Sequence, residues 1–323
     1  MYFFIIQSDK SSTESSVVGD DVQSQLISLC TKDGTVEQAR NAVRTLASLH
    51  ENDPDKIVEV FQPLLETMTS STRLSVDTSG KANKKVVNVL ETLTAMVECV
   101  PSLFSSVDNS KKKRGAKAIR FALETVLLGR RDILSTQSND DLDFPSDDEV
   151  HDRKSSGRPS SSKKKSGRKA SDSGEASLSL ACKRIRAAIS FLIAHIRAMK
   201  SAGLSPSKEH ISAVFGVLRG ILEDGGKPPS SYDRQECQSY EDEVALRQCA
   251  TVSIMRLCDG NLQLEKDFFT HSMWHILGKS FVDVDASVRG KLQKELSRTC
   301  QLRVHVQSTL ISFNSFLQRI CDE

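Results

Sequence analysis

Along most of this chain, apolar residues recur at every third or fourth position and polar residues fill the gaps. That spacing predicts helices with one buried stripe. Val22, Leu26, Leu29 and Cys30 mark a short helix that Gly34 stops. Thr35, with Gln38 three residues later, reads as a capping box, with Ala39, Val43, Leu46 and Ala47 on one face behind it. Asp53-Pro54 opens the next helix, whose stripe is Ile57, Val58, Phe61, Leu64, Leu65 and Met68. Pro63 inside it is expected to kink or split it. Further helices are expected over 84–99, 116–128, 178–199, 262–281 and 302–320, with one between them that Ser205-Pro206 caps and Gly225-Gly226 ends. Gly129 suits the C-terminal cap of the 116–128 helix.

Two of these helices open with a similar phrase. Leu246-Arg247-Gln248-Cys249-Ala250 is followed by Ile254 and Leu257, and Val288-Arg289-Gly290-Lys291-Leu292 by Leu296. Ala39-Arg40 with Val43 is a weaker third copy. The second copy follows Asp283 and Asp285, which suit the free N–H groups and positive end of a helix start. The Arg of the phrase has a planar five-donor head that suits an acidic group of the adjacent repeat. The first two copies stand about 42 residues apart with one more amphipathic segment between them, within the 40–47 residues of a helix-pair repeat. A single pair cannot bury its stripe alone, so pairs stack and share a core. The expected fold is all-α, a HEAT/armadillo-like α-solenoid.

Composition agrees: of 323 residues, 27% are charged and 5% aromatic, which suits helices better than a sandwich of strands. The eight cysteines form no Cys-x-x-Cys pair, and several lie on apolar faces, so a reducing intracellular setting is expected. Tyr2 to Ile6 is too short for a leader or a membrane span. The expected organisation is a disordered segment over 1–20, helix pairs over 21–134, a disordered insertion over 135–177 and helix pairs over 178–323. The insertion is acidic first and then basic, and too poor in apolar residues to offset chain entropy. Phe313, Phe316, Leu317 and Ile320 leave an apolar face on the last helix, which predicts a fragment of a longer protein.

No nucleophile elbow or glycine-rich phosphate loop is present. His271 and His275 share a helix face without a third ligand at suitable spacing, so they read as a surface or core pair beside a packing Trp274. No catalytic residue, metal or cofactor is expected. Lys111, Lys112, Lys113 and Arg114, and then Arg153, Lys154, Lys163, Lys164 and Lys165, read as nuclear localisation patches or as contacts to nucleic-acid phosphates. A solvated charged loop is the plainer alternative. Gly157-Arg158-Pro159 has the middle of an AT-hook without its preceding Arg. Ser146, followed by Asp147-Asp148-Glu149, is a candidate phosphosite for an acid-directed kinase. Asp172-Ser173-Gly174-Glu175-Ala176-Ser177 has the spacing of a phosphodegron, with Glu175 at the usual apolar position.

Leu29-Cys30-Thr31, Gly34-Thr35, Gln38-Ala39-Arg40 and Phe61-Gln62-Pro63-Leu64 occur in that order. Leu246 to Ala250, Ile254-Met255-Arg256-Leu257 and Asp285 to Leu296 with Val288-Arg289 follow after a long insertion. This order resembles the cohesin-associated "precocious dissociation of sisters" family over about Leu26 to Arg298. The resemblance implies a curved HEAT solenoid in the nucleus that binds the cohesin ring at its kleisin subunit. It also implies dealings with the releasing factor Wapl and the cohesin acetyltransferase, and no catalysis. Arg40, Leu246, Arg247, Asp285, Val288 and Arg289 are read as structural positions of the repeat, not as partner contacts. The chain is several times shorter than the family's members, which predicts a central piece of the solenoid. The alternatives are a HEAT adaptor of another class, for nuclear transport or condensin-like, and an enzyme on an unrecognised helical fold.

Overall fold

Side chains start most of the helices. Thr35 accepts from Gln38 N–H at 3.3 Å while the Gln38 side chain accepts from Thr35 N–H at 2.9 Å, closing the expected capping box. Asp53 Oδ1 accepts from Lys56 N–H at 3.0 Å, with Pro54 in the first turn. Ser207, rather than Ser205-Pro206, caps the helix that carries Ile211, because its hydroxyl is the one that reaches His210 N–H. The computed structural model describes residues 15–70, 80–105, 112–130, 178–237, 239–259, 267–268 and 270–303. The insertion with Ser146, Arg153, Lys154 and Lys163 to Lys165 lies outside these residues, as do Lys111 and the helix expected beyond residue 303.

The elements are α1 (Ser15–Ser28, running into a π turn at Leu29–Asp33), α2 (Val36–Leu49), α3 (Pro54–Met68) and α4 (Gly80–Cys99). A 3-10 turn (Pro101–Phe104) leads to α5 (Lys112–Arg120, running into a π turn at Phe121–Leu127). Then come α6 (Leu180–Ser201), α7 (Lys208–Glu223), the short α8 (Ser231–Glu236), α9 (Tyr240–Cys258), α10 (His271–Lys279) and α11 (Ala286–Arg303). No strand occurs among the described residues. Pro63 does not split α3. The carbonyl it frees belongs to Glu59, and both residues are exposed, so water reaches it.

Alternate helices form two layers. In the first, α1, α3, α5, α7 and α10 follow one another, and in the second α2, α4, α6, α9 and α11 do. α1, α3, α5 (through its π turn) and α7 each pair with a second-layer helix, α10 packs on α7, and α8 is an insert lying on α6. This is the stacked-pair solenoid. Second-layer neighbours meet over longer stretches than first-layer neighbours. One apolar core runs the length of it, through Leu46, Phe61, Leu90, Phe121, Ile185, Leu218, Leu246 and Leu292. Phe104 from the 3-10 turn sits edge-on to Phe191 at 6.0 Å, locking that turn onto α6.

Candidate interaction surface

The junction between α9 and α11 shows what the repeated phrase does. Arg247 donates through Nε to Asp283 Oδ2 at 2.8 Å and through Nη2 to Asp283 Oδ1 at 3.3 Å. Its Nη1 donates to the Gly225 carbonyl at 2.8 Å. One guanidinium thus ties the end of α7 to the turn before α11, in the forked geometry that Arg favours. Gly225 and Gly226 have φ of 70° and 97°, and a Cβ on Gly226 would strike the Glu243 backbone, so this close approach needs glycine. Asp285 accepts from Ser287 N–H at 2.8 Å and from the Tyr240 hydroxyl at 3.2 Å. Burial raises its carboxyl, but the Ser287 hydroxyl and N–H outweigh this and hold it below the usual range. Arg289 turns back to the Asp283 carbonyl of its own turn instead of reaching a neighbouring repeat. Val288, Leu292 and Leu246 are fully buried between these helices.

The far end of the same junction is also ionic. Glu295 accepts from Arg256 Nε at 2.9 Å and Arg298 Nε at 2.6 Å, and Arg298 reaches Asp259 at 2.8 Å. Burial raises Glu295, yet Arg298 and Arg256 prevail and keep it low. On α2, Arg40 pairs with half-buried Glu91 of α4 at 3.5 Å, and Arg44 with Glu98 at 3.3 Å in the open.

The most buried ion pair described is one that the sequence pattern does not announce. Arg184 of α6 is 1% exposed and pairs with Asp233 of α8, which is 3% exposed. Burial pushes the Asp233 carboxyl up, and Arg184 offsets this only in part. The available signal was an Arg beside Cys182 and Ile185 on an otherwise apolar stripe; its partner, 49 residues on, carried none. The loop holding α8 also gathers chain from elsewhere. A Cβ on Gly129 (φ 68°) would collide with the Ser230 side chain. Ser179 N–H donates to Asp242 Oδ1 at 3.0 Å, and Ser179 Oγ lies 3.6 Å from Cys237 Sγ.

Two grooves open on the first layer. Between α1 and α3, Ile27, Val60, Pro63 and Leu64 form an apolar floor under a rim of Gln23, Lys56 and Glu59, in about 380 Å³. Between α7 and α10, His271, His275, Glu223 and Lys279 line about 470 Å³ with Ile276. His271 and His275 are exposed, Met273 and Ile276 point inward, and Trp274 packs against the core. Among the described residues no three His, Cys, Asp or Glu side chains are placed to hold a metal ion. Burial pushes the Cys30 and Cys237 thiols up to about 12, so neither is a thiolate nucleophile at neutral pH. His195 is driven down to about 4 by burial and by His210, and its Nε2 has no partner. Lys112, Lys113 and Arg114 form the first turn of α5. No described helix is long and apolar enough to cross a membrane.

Comparison with known proteins adds one finding. A family model described as "Sister chromatid cohesion protein PDS5 protein" matches residues 5–305. No curated protein and no solved structure matches the chain. The family match spans nearly all of the 323 residues and agrees with the stacked helix pairs, so the chain belongs to the PDS5 family of sister chromatid cohesion proteins.

Proposed function

We propose that this chain is a non-catalytic scaffold that regulates how cohesin associates with chromatin, by docking the kleisin subunit on its helical-repeat surface. The observation that carries the reading is the family match over residues 5–305 on a frame of stacked helix pairs. The groove between α1 and α3 supports it: an apolar floor with a charged rim suits an extended or helical segment of a partner. Wapl and the cohesin acetyltransferase are the further partners, and the nucleus is the site of action. Lys111 to Arg114, with Arg153, Lys154 and Lys163 to Lys165, are proposed as the import patches, and Ser146 as a phosphorylation site that alters the charge balance of its segment.

Crosslinking mass spectrometry on the protein in dividing cells tests the docking. Crosslinks from Lys56 to the kleisin are expected, and Lys56→Glu with Glu59→Lys should weaken them. Neighbours drawn only from nuclear transport or condensin complexes would sink the reading. Replacing the basic clusters by Gln should leave a fluorescent fusion in the cytoplasm.

A further inference from the structure

Sorting charge by layer exposes an asymmetry that the net charge of +2 conceals. In the second layer, α6 carries Lys183, Arg184, Arg186, Arg197 and Lys200 and no acidic residue. On α11, Arg289, Lys291, Lys294, Arg298 and Arg303 stand against Glu295 alone. In the first layer, α1 has Asp20 and Asp21 and no cation, and α3 has three acidic residues against Lys56, so the cations there are concentrated on α5 with Lys112, Lys113, Arg114, Lys117 and Arg120. Within the second layer only the first turn of α9, with Glu241, Asp242 and Glu243, is an acidic run. The solvent side of α6 runs Lys183, Arg186, Ser190, Ala194, Arg197 at helical spacing. Lys183 and Arg197 stand about 21 Å apart along the axis, facing roughly a dozen charges of a duplex at one per 1.7 Å. Arg40, Arg44 and Arg256 spend their charge on Glu91, Glu98 and Glu295. No carboxylate among the described residues pairs with Lys183 or Arg197.

Surface texture selects among polyanions. Both grooves open on the first layer. Among the described residues, the large apolar side chains exposed on or beside the second layer are Leu49 and Tyr240 at helix ends and Val282 and Val284 in the turn before α11. A peptide holds on by sinking apolar anchors into pockets, and a single strand by stacking its bases on aromatic rings. Among the described residues no large apolar or aromatic side chain is exposed along α6. A duplex needs only cations for its phosphates. We propose that the second-layer face centred on α6, with Lys183 and Arg197 at its ends, docks the phosphate backbone of duplex DNA without reading its bases. The docking goes beyond the kleisin reading and does not depend on it.

The test is fluorescence anisotropy of a labelled 30-base-pair duplex with the full chain across a salt series. Lys183→Gln with Arg197→Gln should weaken binding by about tenfold or more and make the log–log salt slope shallower by about 2, near 0.9 for each phosphate no longer neutralised. Its melting temperature should stay that of the parent, because both side chains face solvent. A second variant, Lys163→Gln, Lys164→Gln and Lys165→Gln, measures what that basic run adds, and the α6 pair must cost affinity in that background too. Parental affinity and slope in the α6 variant overturn the proposal. So does displacement of the duplex by polyglutamate at equal negative charge, which would give the face to an acidic polypeptide. Loss of kleisin crosslinks alone touches only the scaffold reading.

Discussion

The α9–α11 junction and the α2–α4 junction use the same device in opposite surroundings. In the first, Arg247 is 9% exposed and bonds both oxygens of Asp283 and a backbone carbonyl. In the second, the Arg40 and Glu91 side chains are 38% and 21% exposed and meet at 3.5 Å. Yet the apolar floor beneath them is alike, with Leu292 and Leu46 both fully buried. The repeat therefore keeps its oily contact and varies the ionic one. A polar pair out of water holds its partners in one geometry and punishes the loss of either, whereas a wet pair does little.

The sharpest way to break this contrast is at α6. Asp233→Ala should destabilise the chain by about 3–5 kcal/mol in urea melts, since it removes the carboxylate that pairs with Arg184 in the core. Arg184→Met with Asp233→Leu should cost far less than that, as burying neither charge removes the penalty. Next come Leu292→Ala and Leu46→Ala, each expected to cost about 2–5 kcal/mol and by similar amounts. A loss below about 0.5 kcal/mol in only one of them would place that residue on a surface instead. Acid supplies the third test. His195 is neutral in the fold and titrates near 4, below the ordinary 6.5. The unfolded chain therefore binds its proton first as pH falls. This stability is fully present above pH 6.5 and is lost between 6.5 and about 4, to an extent of about 3 kcal/mol. His195→Gln should flatten that part of a stability–pH curve. Arg247→Ala should cost about 2–3 kcal/mol through the unpaired Asp283 and Gly225 carbonyl. Arg40→Ala should cost under about 1 kcal/mol, and less still in high salt.

The frame was readable because helices write their buried face at a fixed period and cap themselves locally. Thr35 with Gln38, Asp53 with Pro54, and the Gly225-Gly226 stop all act over four residues or fewer, and each is found where the sequence places it. Arg247 was legible for a related reason, since its phrase recurs. What escaped depends on distance through space. Nothing local ties Arg184 to Asp233, and nothing local marks the π turns at Leu29–Asp33 and Phe121–Leu127. The start of α1 at Ser15 rather than near Val22 escaped too, because Ser15, Ser16 and Gly19 carry no apolar period. The charge asymmetry was invisible for yet another reason. Lys183 and Asp20 belong to opposite layers only after alternate helices are assigned to them.

The loop holding α8 fastens Gly129 on one side and Ser179 on the other. The chain between those two points thus departs from and returns to a single fixed anchorage. A change in the number of residues between those two points leaves both anchors, and the stack that holds them, in place. The described residues before and after that stretch are joined directly, where α6 packs on α4 and on the π turn at Phe121–Leu127.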